Sequence, residues 1–490
     1  MSPRVSISKP KGSSDGERGT DVNNRLRVGK RAGAVARLGG AAVAVVIGLS
    51  MTVPALSASA GASSKKVTLS IAFGSTYVMA TAALAPKFYG NIAKEFEAAH
   101  PGVTVDLIPI PGSPNDIITK LSLLYRSAST APTIAEIDNL DVGKFASAGY
   151  LLPLNKYVTQ ESWWSSFPAV VQDEAELNGK YYGVNQGENV QALAYNKVDF
   201  KEAGLPVPWH PTTWQDIINA ALTIKKKLPK VTPIWAEGGT GAGTGGISLG
   251  VANLLAGSSD PTVFDKSTGK WVVNSSGLKQ TFSFIHTLTV DGLNAPVSDL
   301  FNPNAPGNAT AYMKSPGAAI AIASNYWTTS WLENDAPSWP QAKTEIGITP
   351  LPTSDGQGSD IASLLTGWDQ AIYSGTPNAK LAFSLLNFMM QKQNLLTVDN
   401  DGEWIPPVTS YATDPLYTNF GAPFQSVFAG LEKYASEWPD VANLPVWSQA
   451  FQDATGNLEQ NSSTTVQDAL NTMQSYVSEQ LGSSAIETKK

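Results

Sequence analysis

Between Val67 and Leu107 the hydrophobic period of the chain changes twice, and that change narrows most what the chain can fold into. Val67 to Phe73 (VTLSIAF) is a short β-branched and apolar run, the pattern of a buried strand. From Ala85 to His100, Phe88, Ile92 and Phe96 recur every four positions, one face of a helix. His100-Pro101-Gly102 ends that helix. Val103, Val105 and Leu107 then alternate with polar residues as a second strand. Strand, helix and strand within about forty residues make a βαβ unit. Its two strands should lie parallel, joined by a right-handed crossover.

The alternation continues along the chain. Ser113, Pro114 and Asp116 spell a capped helix start, with Ile117, Leu121 and Leu124 as its buried face. Thr133 to Ile137 reads as a strand, and Val142 to Ala148 as a short helix closed by Gly149. Thr213 and Asp216 start another helix, whose inner side carries Trp214, Ile217, Ile218, Ala221 and Leu222. Ala379 to Gln391 and Val466 to Leu481 complete the clear helices. Strands alternating with helices predict an α/β fold.

The first 60 residues are of another kind. A polar stretch to Asn24 precedes Arg25, Arg27, Lys30, Arg31 and Arg37, and an apolar run follows from Leu38 to Leu56. Ala58-Ser59-Ala60 closes it. Basic region, apolar region and small-residue site in that order predict a secretory signal peptide, residues 1–60. The competing reading is an uncleaved anchor, since the run is nearly long enough to span a bilayer. Of the 34 basic and 41 acidic residues, nine and three fall in this leader, so the remainder carries a formal charge of −13. Its only arginine is Arg126. Such a chain is a poor partner for nucleic acid or anionic membranes, and ill equipped to grip phosphates. There is no cysteine, hence no disulfide, thiolate metal site, cysteine nucleophile or lipid-bearing cysteine.

Four stretches in order resemble the type 1 extracellular solute-binding proteins of carbohydrate ABC importers. They are Glu95 to Ile110, Ala131 to Val158, Gly179 to Ile217 with its Tyr195-Asn196-Lys197, and the segment from Ile348-Thr349-Pro350-Leu351-Pro352 through TGWDQAIYS. Two features depart from that family. The lipid-anchoring cysteine common among its secreted members is missing, and Gly367-Trp368 stands where the family often has two glycines.

The resemblance implies a two-lobed α/β fold of the periplasmic-binding-protein type, with a ligand cleft between lobes and hinge crossings near Gln191–Tyr195, Thr349–Pro352 and Trp404–Thr409. The lobes would be 66–191 plus 351–405 and 192–350 plus 406–490. It further implies a secreted or cell-surface monomer that binds a neutral mono- or oligosaccharide and delivers it to an ABC permease. No cofactor is expected.

A neutral sugar presents an apolar ring face and a rim of hydroxyls, so its site needs flat aromatic rings beside carboxylates and amides. Thirteen tryptophans are available. By the resemblance, Trp327 (after Asn325-Tyr326), Trp447 and Trp368 are ligand-facing candidates. Trp404, nearer a crossing, is either ligand-facing or structural. Asp138 and Asn139 end a strand on the side where open parallel sheets bind ligands. Glu188 and Asn189 precede the first crossing, with loop capping as the alternative role. Asn325 and Tyr77 complete the candidate set.

Other motifs carry less. Gly241, Gly243 and Gly246 spell GxGxxG without the strand–turn–helix context of a dinucleotide site. Gly246-Ile247-Ser248-Leu249-Gly250 spells GxSxG without a strand before the serine. A secreted esterase or glycosidase, using Ser248 or a carboxylate pair, is therefore the alternative function. A surface sensory receptor on the same fold is another. His100, His210 and His286 show no metal spacing.

Overall fold

The computed structural model describes residues 66–76, 78–239, 250–302, 305–314, 316–332, 339–356, 363–439 and 441–489. The leader lies outside them. The opening βαβ unit is present: β1 (Val67–Gly74) and β2 (Val103–Ile110) pair in parallel over their whole length. Helix α1 (Leu84–Ala99) joins them and buries Phe88, Ile92 and Phe96. The next helix, α2 (Pro114–Leu124), starts in a capping box between Ser113 and Asp116. Leu124 lies at the margin of that helix's buried face, which is Ile117 and Leu121.

Two sheets organise the chain. The first runs in the order β2, β1, β3 (Ile134–Asp138), β9 (Thr366–Ile372), β4 (Val184–Asn189). Its β9 runs antiparallel to both neighbours, an orientation that the local period of a strand does not encode. The second runs β8 (Ile346–Thr349), β5 (Gln191–Asn196), β7 (Ala318–Ser324), β6 (Thr232–Trp235).

Each sheet has its own apolar core. Ile71, Phe73, Phe88, Ile134, Phe145 and Leu386 belong to the first. On one face of the second sheet Leu193, Ile234, Ile320 and Ile322 meet α4 (Trp214–Lys227), α5 (Ser276–Val290) and α8 (Leu444–Gln460). The other face is lined by Ala194, Ala321 and Ala323, small enough for Trp235, Trp327 and Trp331 to pack closely. Leu222, expected on the inner side of α4, is exposed instead, and Ala220 and Ile224 take the inward positions.

The chain passes between the sheets three times. Only Val190 separates β4 from β5. Residues 350–365 lead from β8 to β9. The last passage follows helices α6 (Ala379–Met389) and α7 (Lys392–Gly402) and ends at α8. Along it Val408, Phe428 and Leu431 still belong to the first core, while Trp438 and Leu444 belong to the second. Helix α9 (Val466–Leu481) closes the fold with Leu470, Met473 and Val477 buried.

Candidate functional site

Where the three passages converge, carboxyls and amides gather out of water. Strand β3 ends in Asp138, whose carboxylate caps α3 (Asn139–Ser147) by accepting the Leu140 N–H at 3.1 Å. This cap starts the helix three residues earlier than its apolar pattern predicts. Asn139, now its first residue, is buried and donates through Nδ2 to Glu174 at 3.1 Å and to the Leu365 carbonyl at 3.5 Å. Glu174 also accepts from Asn185. Glu188 lies near Glu174, and the like charge of one carboxyl disfavours ionisation of the other.

Each passage brings a carboxyl to this cluster: Glu188 before the first, Asp369 after the second, Glu432 along the third. No amide, hydroxyl or cation reaches either oxygen of Glu188. Among the described residues no lysine or arginine is ion-paired with Glu174, Glu188 or Glu432. Burial, reinforced by Glu174, Glu432 and Asp369, pushes the Glu188 carboxyl well above its ordinary range. Burial raises Glu174 to about 7, against the lowering effect of its two amide donors. Burial and the charge of Glu174 raise Glu432 to about 8.

A separate network braces the first sheet. Glu136, in the middle of β3, accepts from the Tyr89 hydroxyl at 2.7 Å and the Gly74 N–H at 2.9 Å. Gln370 donates to Tyr89 at 2.8 Å and to Gln186 at 2.7 Å. Among these groups only Gln370 Oε1 lacks a partner, so the network mainly fixes strand positions.

Asn325, at the end of β7, ties the passages together. Its Oδ1 accepts the Val190 N–H at 2.8 Å, and its Nδ2 donates to the Glu403 carbonyl at 2.7 Å and to Asn189 Oδ1 at 3.3 Å. Glu188 and Ile405 form an antiparallel bridge next to it. Trp404 fills a slot made by glycines: a Cβ on Gly187 would come within 2.5 Å of its ring, and one on Gly402 equally close.

Beside this cluster a cavity of about 100 Å³ lies between the two halves. Asn115 and Ile118 of α2 and Leu140, Asp141 and Lys144 of α3 form one wall. Trp438, Leu444, Pro445 and Ser448 form the other. Trp438 is 6% exposed, and its indole N–H has no acceptor. Behind it stands Trp447, edge to face at 6.2 Å between ring centres, with its N–H donated to the Val272 carbonyl at 2.7 Å. The cavity thus offers an aromatic ring, a cation–carboxylate pair (Lys144 and Asp141, 3.8 Å apart) and hydroxyl and amide groups. Such a surface grips a small polar molecule with one apolar face.

The expected site residues divide accordingly. Asp138, Asn139, Glu188, Asn189, Asn325 and Trp404 meet around the passages, and Trp368 pairs with Asp138 across β9 and β3. Trp327 lies within the alanine-lined core, buried, its indole N–H without a partner. Trp447 is wholly buried in the other core, stacked on Phe451 at 5.3 Å, so it supports the wall of the cavity and Trp438 fronts it. Tyr77, Ser248 and the GxGxxG glycines lie outside the described residues. Sequence reasoning missed Trp438 and Glu174. The signal for Trp438 was its place between Glu437 and Pro439, off any helix face.

Comparison with known proteins follows the same lines. A family model described as "Bacterial extracellular solute-binding protein" matches residues 81–394. The multiple sugar-binding protein of Streptococcus mutans is 28% identical over 153 residues, 31% of this chain and 33% of that protein. The likeness therefore spans about a third of that relative's length. Maltose-bound MalE3 of T. maritima superposes with a TM-score of 0.68 at 19% identity, over 85% of this chain and 100% of that one. The cyclic alpha-maltosyl-1,6-maltose binding protein from Arthrobacter globiformis gives 0.67 at 20% identity, over 85% and 99%. These structures share its two-lobed fold.

Proposed function

Since the chain belongs to the bacterial extracellular solute-binding proteins, we propose that it captures a neutral mono- or oligosaccharide between its two lobes and passes it, chemically unchanged, to the permease of an ABC importer. The observation that carries this reading is the family match over residues 81–394, with the cavity between the lobes, about 100 Å³, marking the place that lobe opening would widen for a sugar ring. The cavity joins the face of Trp438 to hydrogen-bonding groups of α2 and α3. An uncharged ligand suits a site whose nearest buried groups are carboxyls and amides with no guanidinium.

Periplasmic binding proteins close about a hinge. Here the hinge would comprise Val190, the 350–365 passage and the third passage. Because Val408, Phe428 and Leu431 pack in the first core, the last crossing is drawn between Leu431 and Trp438 rather than at 405–406, giving lobes of 66–190 plus 366–431 and 191–349 plus 438–490. Closure is driven only by contacts that ligand makes in the closed state and not in the open one. Asp138, Asn139, Asn189 and Trp368 are the first-lobe groups proposed to reach it. The apolar leader would direct export, leaving a secreted monomer that acts at the cell surface. Among the described residues no helix is long and apolar enough to cross a membrane. Sequence relatives also point toward sugars: the Streptococcus mutans protein is named for binding them.

The test is a thermal-shift screen of residues 61–490 against neutral sugars, polyols and their phosphates. A neutral sugar at 100 times its dissociation constant should add about 2.7 kcal/mol of stability. Stabilisation by phosphorylated compounds alone would refute the neutral cargo.

A further inference from the structure

Strands β6, β7 and β8 of the second sheet start at one end of it, and β5, antiparallel to β7 and β8, finishes there. The passages converge at the opposite end, where β7 runs out into Asn325. Lysines crowd the end away from the passages. Lys225, Lys226 and Lys227 form the last turn of α4, and Lys230 lies between that helix and β6. The Thr232 N–H donates to the Gly317 carbonyl at 2.9 Å, which sets Lys314, just before β7, on the same edge. Lys343, in the short helix Ala342–Glu345 that precedes β8, joins them. All of these lysines are exposed. In the segments that meet here, among the described residues, the acids are Asp291, whose backbone carbonyl accepts from Lys225, and Glu345, which accepts the Trp339 indole N–H at 3.0 Å. The helix Lys197–Ala203 that follows β5 adds two lysines and two acids, and so no net charge. Leu222, one turn ahead of Lys225 and Lys226, is 40% exposed, and Val290, next to Asp291, is 52% exposed.

The negative end of a helix macrodipole favours lysines on the last turn of α4. It does not gather Lys230, Lys314 and Lys343 from other parts of the chain onto one edge, nor leave Leu222 and Val290 in water beside them. The net negative charge of the chain opposes an anionic partner only as far as its acids reach. At physiological ionic strength charges are screened beyond about 8 Å. The length of β7, at roughly 3.3 Å per residue, puts this edge about 20 Å from the buried carboxyls at the passages. The lysines therefore act as a local field.

Such a field attracts either a polyanion in water or an anionic bilayer, and the exposed leucine and valine decide between them. A polyanion offers charge alone, while a bilayer interface also takes up apolar side chains. Each lysine brought to an anionic bilayer strengthens binding about fivefold.

We propose that this end of the second sheet is a peripheral docking surface for an anionic phospholipid bilayer, with Lys225, Lys226, Lys227 and Lys230 at the headgroups and Leu222 and Val290 at the interface. The surface lies away from the passages, so docking leaves the space between the lobes open to solute, whatever that solute is.

The experiment is co-sedimentation of residues 61–490 with phosphatidylcholine vesicles, with and without about 30% phosphatidylglycerol, at about 0.15 M salt. The expected result is saturable binding to the anionic vesicles alone. The combined Lys225→Gln, Lys226→Gln, Lys227→Gln and Lys230→Gln variant should bind at least about tenfold more weakly. The same change at Lys87, Lys94, Lys120 and Lys180, exposed on the first half, should leave binding as it was. Leu222→Ser should weaken binding with every lysine in place. Absence of binding to anionic vesicles, equal losses in the two lysine sets, or binding to soluble polyphosphate but not to vesicles overturns the proposal. These surface changes leave the cores untouched, so an unchanged Tm separates lost binding from lost fold.

Discussion

Asn325 makes more of the lobe junction than any other single side chain, because it satisfies backbone groups on two passages at once. Asn325→Ala removes both bonds and leaves the buried Val190 N–H without its acceptor, while the Glu403 carbonyl keeps the bond from Gln425. Urea unfolding should show a loss of about 2–3 kcal/mol. Gly187→Ala tests the Trp404 slot, since its Cβ would sit 2.5 Å from the ring. The indole must move, at a cost of about 1–3 kcal/mol, and Trp404→Phe in the same background should recover part of it. The carboxyl cluster gives a pH dependence. Glu432 is raised to about 8 in the folded protein from an ordinary value near 4.5. Between those values the folded chain holds a proton that the unfolded chain has released. The contribution of Glu432 to stability is therefore fully present below about 4.5 and is lost as pH rises through 8. Glu432→Gln should flatten this decline, raising Tm at pH 8 by about 2 °C with no gain at pH 4.5.

At the scale of elements, helices declared themselves through their ends. The capping boxes at Ser113, Thr213 and Thr465 are local patterns of three or four residues. Thr213→Ala should lower stability by about 1 kcal/mol, as a chevron analysis of α4 would register. Strand direction and neighbour order were not legible, because the β9 pattern is the same whether it runs with β3 or against it. The site was legible in part. Asp138 and Asn139 were singled out by their position at a strand end, where α/β sheets present ligands, and Glu188 by its place before the first crossing. The two tryptophans 438 and 447 could not be ranked so easily. Trp447 and Phe451 are four apart on one helix face, a spacing that marks core, and they stack in the structure. Trp438 has no such periodic partner, and its role emerges only when the third passage folds back beside α3. Glu174 was invisible for a similar reason: its amide partners, Asn139 and Asn185, are 35 and 11 residues away.

For the whole molecule, one core on the first sheet and two on the faces of the second, joined by three passages, suit the hinge proposed above. The first passage is a single residue, so motion has little backbone in which to dissipate, and Asn325 sits on it. The account's central claim is that this arrangement clamps a neutral sugar and releases it whole. Calorimetric titration with the sugars found by screening, followed by mass spectrometry of the recovered ligand, tests it most directly. The account predicts saturable one-to-one binding of a neutral sugar, weakened at least tenfold by Trp438→Ala, and recovery of the sugar at its original mass. Binding confined to charged compounds, or recovery of a cleaved sugar, would contradict it.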